Sequence, residues 1–163
     1  MASSRLPRKI FAEILGRPAL ARIIDRLRRC EQIDGIVLAT TSSSDDDETA
    51  AWASSEGIEC VRASEDDVLG RVVAAQRHMN SDIVVEICGD CPLLDPEIVD
   101  VAVETFLAND CDVVTTTRHP SYPQGLDVQV FRLRELESIE RKISDPVVRE
   151  HVSLHFYENP KYR

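Results

Sequence analysis

An α/β fold, with a mostly parallel mixed sheet flanked by helices, is predicted by three observations. Short apolar runs of strand length alternate with segments of helical periodicity. The polar clusters that could carry chemistry stand beside the apolar runs. The length, 163 residues, suits one domain with a real core. Strands that alternate with helices pair in parallel through crossover helices, and ligands of such sheets bind beyond the carboxyl ends of the strands.

Leu20, Ile23, Ile24 and Leu27 recur at helical spacing, so 18–29 reads as a helix with a proline at its start. The run 36–39 reads as a buried strand and 42–47 as a polar loop that caps a helix over 48–56, stopped by Gly57. A weaker strand over 58–61 precedes a helix opened by Asp66-Asp67 and running to 79, with Val68, Leu69, Val72 and Val73 on one face. The clearest strand is 83–87. A helix over 96–108, a strand over 112–116, a strand over 128–131, a helix from Leu133 and a last helix over 147–156 complete the pattern.

Acidic side chains outnumber basic ones 29 to 19, a net charge of -10, which argues against a nucleic-acid backbone as the partner. A triphosphate needs only a few local cations, so nucleotides stay open. The chain offers no apolar run that would span a bilayer, and 1–9 lack the apolar middle of a signal peptide, so a cytoplasmic location without a membrane partner is expected. Five scattered cysteines do not form a disulfide framework.

Three polar segments could form a site. Met1-Ala2-Ser3-Ser4-Arg5-Leu6-Pro7-Arg8-Lys9 offers hydroxyls and cations for a phosphate, or is a basic terminus and nothing more. Gly89-Asp90-Cys91-Pro92 follows the strand 83–87; its carboxylate could hold Mg²⁺ against phosphate oxygens, or merely cap a turn. There Gly89 would allow a sharp turn and close approach of a ligand. Tyr122-Pro123-Gln124-Gly125-Leu126-Asp127 could line a pocket for a polar substrate, or form an ordinary turn. Cys88 and Cys91 make a C-x-x-C that permits a dithiol redox site; zinc would need a second ligand pair, and His78, His119, His151 and His155 are not spaced for one.

In their order, these segments resemble the cytidylyltransferases that activate sugars, particularly the branch named for spore-coat polysaccharide biosynthesis. Ser3, Arg5, Leu6, Pro7 and Lys9 match a loop reading approximately Q-A-R-M-G-S-T-R-L-P-G-K, with Ala2 and Arg8 in place of two glycines. Val37 to Thr41 matches a strand ending A-T-T, and Ser64-Glu65-Asp66-Asp67-Val68-Leu69 matches S-E-D-D-V-L, with Arg71 at that motif's later arginine. Gly89 to Leu93 matches G-D-C-P-L, Asp95-Pro96 its following D-P, Tyr122 to Phe131 the pattern Y-P-x-G-L-D-V-x-V-F, and Arg149-Glu150-His151-Val152 a late R-E-H-V. The order holds over essentially the whole chain.

The resemblance implies a nucleotide-diphospho-sugar transferase fold in a single domain over 1–163. It also implies CMP transfer from CTP to a sugar, an acidic one among the relatives, with Mg²⁺ as cofactor and a homodimer as a common assembly. By the same resemblance Ser3, Arg5 and Lys9 hold the triphosphate and Asp90 holds Mg²⁺. Thr40, Thr41 and Asp67 border the nucleoside, Arg71 adds a phosphate contact, and Gln124 and Asp127 face the sugar. Cys91 is the usual residue of G-D-C-P while Cys88 replaces a threonine, which makes the C-x-x-C spacing accidental. Glu86 stands where the family has arginine, a change that should weaken binding of an acidic group. In relatives a strand precedes the loop and a tail with another aspartate follows, so the chain is expected to begin within that loop, at a methionine, and to be poorly active alone. Three other readings stay open: a dithiol oxidoreductase using Cys88 and Cys91, a non-catalytic nucleotide-sugar-binding module that has kept the fold, and a structural remnant that binds nothing.

Overall fold

The computed structural model describes residues 6–120 and 122–163. Its elements, in chain order, begin with a 3-10 turn over Lys9–Phe11, then β1 (Glu13–Ile14), β2 (Arg17–Pro18), α1 (Ala19–Leu27) and β3 (Val37–Thr41). A 3-10 turn over Ser44–Asp46 leads to α2 (Asp47–Ser55), β4 (Glu59–Ala63), α3 (Val68–Met79), β5 (Ile83–Glu86) and α4 (Pro96–Ala108). The chain continues with β6 (Val113–Thr115), β7 (Gln129–Arg132), α5 (Leu133–Lys142), α6 (Pro146–Glu150) and α7 (Leu154–Glu158). Strands β1 and β2 form an antiparallel hairpin, β3 and β4 pair in parallel, and a three-stranded sheet has the order β5-β7-β6. The α/β class and the mixed sheet are as the sequence predicts. Among the described residues no helix is long and apolar enough to cross a membrane.

The chain divides into two compact units, Met1–Asp34 with Val85–Val130, and Gly35–Val84 with Phe131–Arg163. In the first, α1 buries Leu20, Ile23, Ile24 and Leu27, the periodic residues that predicted it. Helix α4 starts where Asp95 accepts the Glu97 N–H at 3.0 Å and Pro96 occupies the first turn, and it buries Val99, Val103 and Phe106. In the second unit, β3, α2 and β4 form a βαβ crossover with Val37 opposite Glu59 and Thr41 opposite Ala63. Helix α3 packs on both strands and on α5 and α6, with Leu69 and Val73 fully buried.

Two local expectations need correction, and one element had no counterpart in the sequence reading. The hairpin at β1 and β2 was not legible: Leu15 and Gly16 both have positive φ, 51° and 75°, as a two-residue turn of this kind requires. A leucine in the first of these positions hides the Asn-Gly or Asp-Gly signal. The predicted helix over 147–156 is two short helices broken at 151–153. Val148, Val152 and Phe156 are buried in either arrangement, so their spacing of four could not reveal the break. Gly89 lies outside the left-handed region, and a Cβ there would meet only Ile10 Cγ2 at 3.8 Å, so no sharp turn demands glycine.

Candidate functional site

In the first unit the polar residues gather around the segment after β5. The buried Ile10 anchors the 3-10 turn that carries Lys9, and Lys9 Nζ donates to Asp90 Oδ2 at 2.5 Å. This ion pair is open to solvent, with the Lys9 and Asp90 side chains 31 % and 49 % exposed. Arg8, immediately before the turn, adopts the left-handed conformation at φ 57°. The loop that bears Asp90 is braced from α1, since Arg26 Nη1 donates to the Leu94 carbonyl at 3.0 Å and Leu94 is fully buried.

The two thiols flanking Gly89-Asp90 are hydrogen-bonded to each other, Cys91 buried and Cys88 exposed. That bond holds the Cys91 thiol below its ordinary value and pushes Cys88 above it, with burial and the Glu86 charge adding to the rise at Cys88. The Asp127 backbone N–H also reaches the Cys91 sulfur, which brings Asp127 beside this loop. Gln124 is exposed on a turn in which Gly125 takes φ 93° and Leu126 N–H reaches the Pro123 carbonyl. Thus Lys9, Asp90 and Asp127 share one neighbourhood. Ser3 and Arg5 lie outside the described residues.

The second unit holds the other candidates, and there their side chains already have partners. Thr40 and Thr41 hydroxyls donate to Asp46 Oδ2 at 2.7 and 2.6 Å, and the Thr41 N–H reaches the same oxygen at 3.0 Å. Burial alone would raise the pKa of the wholly buried Asp46; its hydrogen bonds, those from Thr41 and Thr40 among them, win and hold it well below the usual carboxylate range. Arg62 ties the loop down further, donating to the Thr41 and Ser43 carbonyls at 2.9 and 2.7 Å and pairing with Asp47 at 2.7 Å. Neither Asp46 nor Arg62 stood out in the sequence, because their roles depend on the return of a loop to the strand end.

Asp67 caps α3 by accepting the Gly70 N–H at 2.9 Å, and its other oxygen pairs with Arg149. Arg149 also donates to the Glu140 carbonyl at 2.6 Å. This joins the S-E-D-D-V-L and R-E-H-V segments, which the sequence left unconnected. A Cβ on Gly70 would stand 2.3 Å from Asp67 Oδ2, so glycine is needed there for close approach. Arg71 Nη1 donates to the Ser64 and Glu65 carbonyls at 2.6 and 3.2 Å.

Among the described residues no three His, Cys, Asp or Glu side chains converge on one metal position. Asp90 offers a single half-exposed carboxylate. That donor set fits Mg²⁺, which keeps several waters and is often held by one carboxylate together with substrate phosphates.

Comparison with known proteins places this arrangement. An uncharacterised protein of Methanocaldococcus jannaschii is 34% identical over 158 residues, covering 97% of this chain and 64% of its own length. The 3-deoxy-manno-octulosonate cytidylyltransferase of Nitratidesulfovibrio vulgaris is 40% identical over 119 residues, covering 70% of this chain and 46% of that enzyme. The chain thus spans between about half and two thirds of the length of these relatives. A solved cytidylyltransferase from Leptospira borgpetersenii superposes with a TM-score of 0.92 at 32% identity over 99% of this chain and 68% of that one. A CMP:2-keto-3-deoxy-manno-octonic acid synthetase, solved with CTP, shares the fold at a TM-score of 0.70 and 18% identity, over 96% of this chain and 81% of that one. The cytidylyltransferase family profile matches residues 1–163, and the chain belongs to that family.

Proposed function

We propose that this chain carries out, or forms the nucleotide-handling part of a protein that carries out, CMP transfer from CTP to a sugar for polysaccharide or glycan synthesis. The observation that carries the reading is the Lys9–Asp90 pair at the end of β5: one cation and one carboxylate, 2.5 Å apart and open to solvent. The family membership supports it, as do relatives named for transfer to 3-deoxy-manno-octulosonate and a fold neighbour solved with CTP. Those relatives make a sugar acid the leading acceptor.

In this reaction a sugar hydroxyl attacks the α-phosphorus of CTP. The new P–O bond forms as the bond to the β-phosphate oxygen breaks, the hydroxyl proton passes to solvent or base, and pyrophosphate leaves. Such a step needs positioning and charge neutralisation more than covalent catalysis. Lys9 leaves its pairing with Asp90 and neutralises phosphate oxygens, with Ser3 and Arg5 as further contacts. Mg²⁺, held by Asp90, would supply charge neutralisation at the reacting phosphate. Arg71 has guanidinium nitrogens beyond the Nη1 that holds Ser64 and Glu65, and these serve phosphate. Thr40 and Thr41 have hydroxyls committed to Asp46, so they border the nucleoside through backbone and shape. Asp67 acts through the start of α3, and Gln124 and Asp127 face the sugar. Cytoplasmic operation and assembly as a homodimer belong to the same proposal.

Pyrophosphate release from CTP with Mg²⁺ across a panel of sugars and sugar acids tests the reading. Sugar-dependent release supports it; CTP binding without release with any sugar leaves the non-catalytic binding module in its place. The dithiol reading has the Cys88–Cys91 hydrogen bond in its favour. A thiol count before and after mild oxidation tests it, because a redox pair loses two thiols reversibly.

A further inference from the structure

Two thiols bracket the turn that carries Asp90. The Cys91 N–H donates to the Cys88 carbonyl at 3.2 Å, so 88–91 close a β-turn with Gly89 and Asp90 as its central pair. Such a turn holds its end Cα atoms within ~7 Å, and a disulfide spans ~4.4 to 6.8 Å between Cα atoms. The two side chains already meet, since the thiols are hydrogen-bonded to each other. Cys88 is exposed, whereas Cys91 is buried and takes the Asp127 N–H on its sulfur. A small oxidant therefore meets Cys88 first and finds Cys91 in place behind it. Cys30 differs: its thiol faces the Arg26 and Pro96 carbonyls, each at 3.9 Å. Asp90 itself is held toward Lys9 by an ion pair open to solvent, a contact that resists displacement little.

We propose that Cys88 and Cys91 are a reversible oxidation site, closed by a low-molecular-weight disulfide, and that closure parts Asp90 from Lys9. The Cys88 sulfur gives its proton to solvent and attacks one sulfur of the small disulfide; that S–S bond breaks, and one small thiol leaves with a proton. Cys91 then loses its proton and attacks the Cys88 sulfur, and the second small thiol leaves. Two protein thiols are oxidised to one disulfide, and the small disulfide is reduced to two thiols. The new bond draws the two sulfurs to ~2.05 Å. Gly89 and Asp90 stand between the linked residues and absorb the change, with open space at Gly89, where even a Cβ would meet only Ile10 at 3.8 Å. The consequence for catalysis rests on the nucleotidyl-transfer reading: closure moves the carboxylate assigned to Mg²⁺, so transfer falls under oxidation and returns on reduction.

Oxidised glutathione added to the full chain, followed by peptide mapping, tests the site. The expected product is a bond between Cys88 and Cys91 of one chain, reopened by dithiothreitol, with Cys30, Cys60 and Cys111 still thiols. A mixed disulfide that persists on Cys88, or bonds formed elsewhere instead, overturns the inference. Backbone amide shifts of the reduced and oxidised chain read the effect on the turn: Asp90 and Lys9 both shift, and a Lys9 amide that stays in place overturns the inference. Neither readout needs a nucleotide. In CTP-dependent pyrophosphate release with Mg²⁺, oxidation slows the wild type at least ~10-fold and reduction restores it. Cys88→Thr keeps the rate of the reduced wild type and does not respond to the oxidant. Equal rates in both redox states, or an equal loss in Cys88→Thr, overturn the inference. If the reduced wild type releases no pyrophosphate with any acceptor, the transfer reading fails by itself, and the mapped bond with the Lys9 shift decides the oxidation site. Multiple-turnover reduction of a protein disulfide, driven by dithiothreitol, would make the pair a dithiol enzyme and reject its role as a switch.

Discussion

Asp46 and Asp90 both follow a strand, and their surroundings are opposite. Asp46, after β3, is wholly buried and receives two hydroxyls and a backbone N–H on one oxygen. Asp90, after β5, is half exposed and pairs with the ammonium of Lys9. The first arrangement leaves no lone pair on that oxygen for a ligand and makes the carboxylate a structural tie. The second is weak as a source of stability, since exposed ion pairs contribute little, and is free to exchange its partner for a cation or a phosphate. Position at a strand end therefore does not distinguish the two carboxylates; the number of internal donors does.

The comparison breaks most visibly at Asp90. Asp90→Asn should reduce CTP-dependent pyrophosphate release by at least ~100-fold, the scale of losing one major electrostatic stabiliser, while its melting temperature stays near that of the wild type. Asp46→Asn should do the reverse and destabilise the fold by about 2 kcal/mol, measured by urea unfolding, because donors to a charged acceptor lose that acceptor. The pH dependence has a definite sign. Asp46 is depressed in the folded state, so its contribution is present above the unfolded value of ~3.9 and is lost as pH falls through the folded one. The stability gap between wild type and Asp46→Asn should stay level from neutral pH to about 5 and close below about 4.

Two smaller substitutions sharpen the same contrast. Gly70→Ala places a methyl against Asp67 Oδ2 and should cost roughly 1 to 2 kcal/mol in unfolding free energy, despite the better helix propensity of alanine. Circular dichroism during denaturation would show whether the strain or the propensity wins. Arg8→Gly removes a non-glycine residue from φ 57° and should stabilise by at most ~1 kcal/mol, partly offset by the greater freedom of glycine in the unfolded chain. A melting point that falls instead would mean that the Arg8 side chain contributes more than its backbone conformation costs.

Much of the scaffold was legible in the sequence, for local reasons. Helix α4 matched its expected ends because Asp95-Pro96 is a start signal that acts within one turn. The order of motifs identified the family, and the Lys9–Asp90 pair joined two of those motifs across 81 positions. What escaped depends on tertiary return. Nothing local in Asp45-Asp46-Asp47 shows that the middle carboxylate alone turns inward to Thr40 and Thr41. Glu86 was legible as a change of charge, but not as a residue with one carboxylate oxygen, Oε2, buried without a donor, because that requires knowing what surrounds it.

The central claim is that the open Lys9–Asp90 pair, rather than the saturated carboxylates, receives the metal-bound nucleotide. Isothermal titration of CTP into wild type and Asp90→Asn, each with and without Mg²⁺, tests it most directly. The account predicts that Mg²⁺ tightens CTP binding to the wild type by about tenfold or more and has little effect on Asp90→Asn, roughly the loss of one charge-assisted contact. Equal tightening by Mg²⁺ in both proteins, or no CTP binding to the wild type at all, would contradict it.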